Sequence, residues 1–159
     1  MRRPLAVLLL LLTIGAGAHA QTTGTPESRL APGLTEDLYA LRSAETEAAA
    51  GRIEEAARIY SAVAGSPGVA REVLAAAAVG LYRTGAFRDA AEAFRGLGTF
   101  AKGEEDLRYY YAVSLFESGD YAGAERELYC ALPFIQVTDE VARYRIKIET
   151  MAGVAMAMK

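Results

Sequence analysis

Apolar residues recur every three or four positions along most of the chain, and glycines interrupt this pattern at regular places. That spacing puts the apolar side chains on one face of an α-helix. The pattern predicts no strand. It predicts helices over about residues 36–50, 53–64, 68–84, 86–96, 104–118, 121–132 and 139–157. Thr35, Ser66 (before Pro67 at the first helical position) and Thr138 are the predicted N-caps.

The breaks between helices repeat with a fixed period. The interval from Gly51 to Gly85 equals the interval from Gly85 to Gly119, and we call this interval the repeat period. Around each glycine, a small residue lies seven positions before, a large apolar residue two positions after, and alanine five positions after. These residues are Ala44, Ala78 and Ala112; Ile53, Phe87 and Tyr121; and Ala56, Ala90 and Ala124. Small residues allow two antiparallel helices to pack closely, and glycine allows the chain to reverse between them.

This repeat resembles the tetratricopeptide repeat (TPR), whose period is the same, about 34 residues, and whose small and large positions match. The resemblance implies an all-α fold, a right-handed superhelix of stacked antiparallel helix hairpins. Three TPR units are expected at about 37–70, 71–104 and 105–138, followed by a capping helix at 139–158. The first unit is the least typical, since Glu47 stands where the later units have Leu81 and Leu115.

The last helix is predicted to have no partner helix of its own. Gly153 lies one repeat period after Gly119, but only six residues follow it. One apolar stripe is expected to lie on the preceding hairpin; it contains Val141, Tyr144, Ile148, Met151, Ala155 and Met158. Ile146 and Val154 fall outside this stripe. The helix is therefore either a simple cap or a self-association face that makes a homo-oligomer.

The N-terminus has the pattern of a secretory signal peptide. Arg2 and Arg3 precede an apolar run, and Ala18-His19-Ala20 offers small residues at a cleavage site. We expect cleavage after Ala20, a flexible linker at 21–34, a TPR domain at 35–159, and a periplasmic or secreted protein with no stable membrane span. An uncleaved membrane anchor is the alternative.

The composition excludes much catalytic and binding chemistry. The only histidine of the 159 residues is His19, inside the predicted signal, and there is no Trp. The mature chain would therefore have no histidine base, triad or metal ligand. Without Arg2 and Arg3 it would carry 15 basic and 20 acidic residues, which argues against nucleic-acid binding. We expect no catalytic residue, no metal and no cofactor.

The single cysteine, Cys130, is predicted to be an inert and partly buried thiol. In the repeat it occupies the position of Ala62 and Gly96, and small residues there suggest a packed helix face. An intermolecular disulfide is the alternative. In the run Tyr109-Tyr110-Tyr111, Tyr111 matches Ala77 and is expected in the core.

The resemblance also implies where a partner binds. First helices of TPR units line a concave groove that holds a peptide or helix, which places eight residues there. They are Leu41, Val79, Tyr82, Arg83, Tyr109, Val113, Phe116 and Glu117. The aromatic members could instead pack between units.

A non-catalytic protein–protein interaction scaffold of the bacterial envelope is the function that the resemblance implies. A structural subunit that self-assembles through the last helix is the first alternative. A catalytic or enzyme-accessory protein that uses carboxylates is the second.

Overall fold

The computed structural model describes residues 32–158, which form seven α-helices and no strand. The helices are α1 (Pro32–Ala49), α2 (Ile53–Ala64), α3 (Arg71–Arg83), α4 (Phe87–Gly96), α5 (Glu105–Glu117), α6 (Tyr121–Ala131) and α7 (Asp139–Ala157). The predicted signal peptide and residues 21–31 of the predicted linker lie outside the described residues. The all-α prediction is confirmed for the part of the chain that the structure describes.

The helices begin at regular steps along the chain. The starts of α2, α4 and α6, at residues 53, 87 and 121, are each one repeat period apart. The starts of α3, α5 and α7, at residues 71, 105 and 139, have the same spacing. Each helix packs against the next one, and α3 also contacts both α1 and α5. We call the surface formed by α1, α3, α5 and α7 the first-helix face.

The glycine at the end of each first helix makes the same turn. Gly51, Gly85 and Gly119 have φ values of 78°, 78° and 92°. After α3, the Gly85 amide donates to the Tyr82 carbonyl at 3.1 Å, and the Ala86 amide donates to the Leu81 carbonyl at 3.0 Å. The equivalent two bonds follow α1 and α5. This Schellman arrangement satisfies the last helical carbonyls and requires a left-handed residue, which glycine supplies without a Cβ clash.

The core lies where the paired helices approach each other. The predicted small residues before and after the glycine turns are all completely buried; they are Ala44, Ala78, Ala112, Ala56, Ala90 and Ala124. Phe94 and Leu128 fill the space beside them and are also 0 % exposed. Ile53, the first of the large apolar residues that follow the glycine turns, is 42 % exposed.

An ion pair joins the start of α3 to the residue immediately before α5. Arg71, the first residue of α3, donates from both guanidinium nitrogens to Glu104 at 2.7 and 2.9 Å. It also donates to the Thr99 carbonyl at 3.0 Å, and Glu104 accepts from the Ala101 amide. These bonds fix the connection that leads from α4 into α5.

Two predicted helix starts are wrong. Helix α1 begins at Pro32, within the predicted linker, because proline is well suited to the first position of a helix. Thr35 is therefore inside the helix and is no N-cap. Helix α3 begins at Arg71, because Gly68 has a φ of 72° and keeps Ser66 and Pro67 in a turn. The Thr138 cap is confirmed, since its hydroxyl accepts from the Val141 amide at 3.3 Å.

The last helix is continuous through Gly153 and packs on α6. Val141 and Ile148 are buried as predicted, whereas Met158 is 83 % exposed and lies off the packed face. Ile146 and Val154 are exposed, as expected from their place outside the stripe. Among the helices of residues 32–158, none is both long and apolar enough to span a bilayer.

Candidate ligand-binding site

Three of the predicted groove residues are buried. Leu41 is 8 % exposed, Tyr109 is 5 % exposed and Val113 is completely buried. All three belong to the hydrophobic core that neighbouring helices share. All three therefore stabilise the fold and offer almost no surface to a partner, which corrects the prediction for Leu41, Tyr109 and Val113.

The other five predicted residues remain accessible on the first-helix face. Val79, Tyr82 and Phe116 are half-buried, while Arg83 and Glu117 are exposed. The accessible part of the face is thus centred on the C-terminal halves of α3 and α5. Helix α7 lies beside them and contributes further residues.

Aromatic rings from three first helices meet at this place. The ring centroids of Tyr82 and Tyr110 are 4.7 Å apart, and those of Tyr110 and Tyr109 are 5.8 Å apart. Phe116 meets Tyr144 of α7 edge to face at 6.1 Å. Such pairs add stability beyond their buried area and hold the rings in fixed positions.

The three consecutive tyrosines of α5 have different surroundings, as helical geometry requires. Tyr111 lies in the core, with the rings of Phe94 and Phe100 each 6.0 Å away, so the prediction for it is confirmed. Tyr110 is half-buried and stacks on Tyr82. Tyr109 is buried, but its hydroxyl end points toward α7, as the charges near it indicate.

Two carboxylates complete the site. The Tyr82 hydroxyl donates to Glu140 Oε1 at 3.2 Å, and the Tyr144 hydroxyl donates to Glu117 Oε1 at 2.9 Å. The first bond joins α3 to α7 and the second joins α5 to α7. We call Tyr82, Tyr109, Tyr110, Glu117, Glu140 and Tyr144 the tyrosine–glutamate cluster.

The cluster holds its phenols in the neutral form. Burial, followed by the nearby Glu140 carboxylate, raises the pKa of Tyr82 and of Tyr109 well above the usual tyrosine range. Burial, together with the hydrogen bond to Glu117, raises the pKa of Tyr144 to about 12. Neutral phenols donate hydrogen bonds, so at ordinary pH the cluster is a set of hydroxyl donors beside two carboxylate acceptors.

The Tyr109 hydroxyl is exceptional within the cluster. It is buried and has no hydrogen-bond partner among the described residues. Buried polar groups normally have a partner, because water is lost on burial and must be replaced. The Tyr109 hydroxyl therefore loses its contact with water on folding without a hydrogen bond from residues 32–158 to replace it.

Basic residues lie close to the cluster, and they include Arg83 of α3, whose charge opposes the rise that burial causes in the pKa of Tyr110. Lys147 Nζ lies 5.0 Å from the Tyr144 ring centroid, in a cation–π contact. Arg143 lies close enough to Tyr109 for its charge to lower the pKa of that phenol, against the larger effect of burial. Within residues 33–158, neither Glu117 nor Glu140 forms a salt bridge.

Sequence reasoning did not place Tyr110, Glu140 or Tyr144 in the groove. The repeat did contain a signal for two of them. Tyr144 follows Tyr110 by one repeat period, and Glu140 follows Asp106, another first-helix residue, by the same interval. The register carries Asp106 to Glu140, but it brings Tyr144 to the first-helix face only once Tyr110 is known to lie there.

Cys130 is not part of this site. It is exposed, which corrects the prediction of a partly buried thiol, and the equivalent Ala62 and Gly96 are exposed as well. The thiol borders a separate cleft of about 120 Å³ that Phe100, Arg108 and others line. Over residues 33–158, no three His, Cys, Asp or Glu side chains come together in a way that suits a metal ion.

Comparison of the chain with protein-family models, with curated proteins and with solved structures finds no match. The functional argument therefore rests on the geometry of the first-helix face.

Proposed function

We propose that this protein is a non-catalytic protein–protein interaction scaffold that binds a peptide or helix of a partner on its first-helix face. The observation that carries the proposal is the meeting of half-buried aromatic rings from α3, α5 and α7 at one surface. Tyrosine and phenylalanine rings held in place by packing are typical anchors of protein interfaces, since little side-chain entropy is lost when a ligand covers them.

The proposal includes a TPR-like right-handed superhelix with the first-helix face on its concave side. The constant step between helix starts supports the repeat. Contacts of α3 with α1 and α5, and the bond from Glu140 of α7 to Tyr82 of α3, support curvature toward this face. We expect a groove there, because the stack of hairpins curves toward the first helices when these approach each other more closely than the second helices do.

We place the scaffold in the bacterial envelope, in the periplasm or outside the cell. This part of the proposal is supported by the pattern of residues 1–20, which predicts export and cleavage after Ala20. The intact mass of the protein recovered from the envelope tests it. A mass that includes residues 1–20 would exclude cleavage there.

The binding proposal is tested by selection from a random twelve-residue peptide library displayed on phage, with the purified protein as bait. Selected peptides are then synthesised, and amide hydrogen exchange is measured with and without them. We expect protection in α3, α5 and α7. Phe116→Ala should weaken binding at least tenfold. The control variant is Tyr129→Ala, which removes an exposed ring of α6.

Two results would count against the binding proposal. One is protection confined to the second helices α2, α4 and α6. The other is peptide affinity that Phe116→Ala and Tyr129→Ala change equally.

A structural subunit that self-assembles through α7 remains a second candidate. The exposure of Ile146, Met156 and Met158, at 65, 63 and 83 %, favours it. Sedimentation equilibrium of the protein and of Ile146→Ser tests this candidate. It requires an oligomer that the substitution dissociates, and a monomer at all concentrations would exclude it.

A further inference from the structure

One face of α1 is exposed, although the same face of the next first helix is covered. We call it the α1 outer face, and it consists of the exposed residues Tyr39, Ser43 and Thr46, which follow one another at helical spacing. Tyr39 is 67 % exposed, whereas Val73, one repeat period later, is 3 % exposed. Thr46 corresponds to Gly80, which lies against Tyr60 of the preceding helix α2. Helix α3 therefore uses this face to pack on the helix before it, and within residues 33–158 nothing covers it on α1.

One side of α7 is exposed as well. Ile146 is 65 % exposed, although the equivalent residues of the three earlier first helices are completely buried alanines, namely Ala44, Ala78 and Ala112. Thr150, Gly153 and Val154 continue the exposed surface toward the C-terminal end of the helix. We call Ile146, Thr150, Gly153 and Val154 the α7 open side. It is the side that a paired second helix covers in the earlier hairpins.

The two helices carry opposite charges that form no salt bridge within residues 33–158. On α1 these charges are three acids and one base, namely Glu36, Asp37, Glu45 and Arg42. On α7, beyond the acids of its first turn, they are Arg143 and Lys147. A contact between α7 and the α1 of a second copy brings opposite charges together. Contacts between two copies of α7, or between two copies of α1, would bring like charges together.

The two faces also match in shape when the helices run antiparallel. Each face begins with one large side chain, Tyr39 or Ile146, and continues with smaller residues at positions four and seven further on. Antiparallel packing then sets the large side chain of each helix beside small residues of the other. Gly153 fits such a contact. A Cβ there would meet nothing within 4 Å, so packing within the described chain gives no reason for a glycine in this helix, whereas the close approach of a second helix does.

We propose that copies of this chain associate head to tail, with the α7 open side of one copy against the α1 outer face of the next. The inference rests on the second candidate of the proposed function, self-assembly through α7, and adds the surface on which α7 docks. Because the two faces differ, each contact leaves one face of either kind free. Association therefore continues beyond a dimer, into longer chains or a ring.

Sedimentation velocity over a range of protein concentrations tests the proposal. A reductant is present, so that no disulfide through the exposed Cys130 contributes. We expect the average mass to rise beyond that of a dimer as the concentration increases. Higher salt should weaken the association, because it screens the attraction between the two helices.

Single substitutions identify the two faces. Tyr39→Ser and Ile146→Ser should each weaken the association about tenfold or more, since each removes a large apolar contact. The matched control is Phe134→Ser, which removes a 70 % exposed ring that borders the separate cleft beside Cys130. An equimolar mixture of Tyr39→Ser and Ile146→Ser should form dimers and nothing larger, because each variant retains the face that the other lacks.

The outcomes separate this inference from the second candidate. An assembly that Ile146→Ser dissociates and Tyr39→Ser leaves unchanged would overturn the inference, because α7 would then dock elsewhere, and the second candidate would stand. A mixture of the two variants that stays monomeric would also overturn it. The same holds for a control that weakens association equally, and for association that salt strengthens. A monomer at every concentration would refute both.

Discussion

Two glycines in helix interiors should respond to alanine in opposite ways. Gly80 is buried in α3, and a Cβ there would lie 2.5 Å from two ring atoms of Tyr60. Gly153 is exposed in α7, and a Cβ there would meet nothing within 4 Å. Alanine is favoured over glycine in a helix by about 1 kcal/mol, so both substitutions start from the same gain.

The packing around Gly80 decides whether the alanine substitution there raises or lowers the free energy of unfolding. Carbon atoms in ordinary contact are roughly 3.5–4 Å apart, so the Tyr60 ring would have to move by about 1 Å. That ring is 6 % exposed and held in the core, and overpacking of this kind costs about 1–3 kcal/mol. Since three ring atoms are affected, we expect the cost to lie at the upper end of that range, about 3 kcal/mol, which leaves a net loss of about 2 kcal/mol in Gly80→Ala after the helix gain. Gly153→Ala should gain about 0.5–1 kcal/mol.

Urea unfolding followed by circular dichroism at 222 nm measures both changes. The double variant Tyr60→Leu/Gly80→Ala provides a further check, since a smaller side chain should remove most of the clash. We expect a coupling of about 2 kcal/mol between the two positions. A Gly80→Ala protein as stable as Gly153→Ala would refute the packing of Gly80 against Tyr60.

Three further substitutions test other parts of the structure. Gly85→Ala should lower the free energy of unfolding by about 1–2 kcal/mol, because φ is 78° there; an unchanged urea midpoint would contradict the left-handed turn. Tyr109→Phe should raise the free energy of unfolding by about 1 kcal/mol, because it removes a buried hydroxyl without a partner; a lower midpoint would indicate a hidden hydrogen bond. The pKa of Tyr144 is raised to about 12, so its contribution to stability should be complete below the usual tyrosine pKa, near pH 10, and should be lost as the pH rises through 12. The difference in stability between the native protein and Tyr144→Phe, measured from pH 9 to 12, should shrink over that range, and a constant difference would argue against the shift.

Local signals in the sequence predicted the helices better than the site. The bounds of α2 and α7 match the prediction, because Gly51 and Thr138 mark their starts by local chemistry. The start of α3 was missed, because the left-handed conformation of Gly68 cannot be distinguished by sequence from a glycine in the first helical turn. Whether the helices form a TPR superhelix stays a prediction.

The site was harder to predict because burial depends on neighbours that are distant in sequence. The repeat placed Tyr109 and Val113 on the groove side of α5, but it did not predict that adjacent helices bury both side chains. The bond between Tyr82 and Glu140 joins residues 58 positions apart, and no local pattern predicts it. At Cys130 the equivalence with Ala62 and Gly96 held, but small residues there mark an exposed position and not a packed one.

The Arg71–Glu104 ion pair is a contact that the first and third hairpins lack at the equivalent positions. It ties the first residue of α3 to the residue immediately before α5, whereas the equivalent positions hold Asp37 and Ala70 in the first hairpin and Glu105 and Thr138 in the third. Neither of those combinations can form an ion pair. An ion pair therefore holds the N-terminal end of α3 to the start of α5, whereas hydrogen bonds between tyrosines and glutamates join α7 to α3 and α5. High salt, by weakening this ion pair, would loosen the contact between α3 and α5 at that end while leaving the hydrogen bonds to α7 in place.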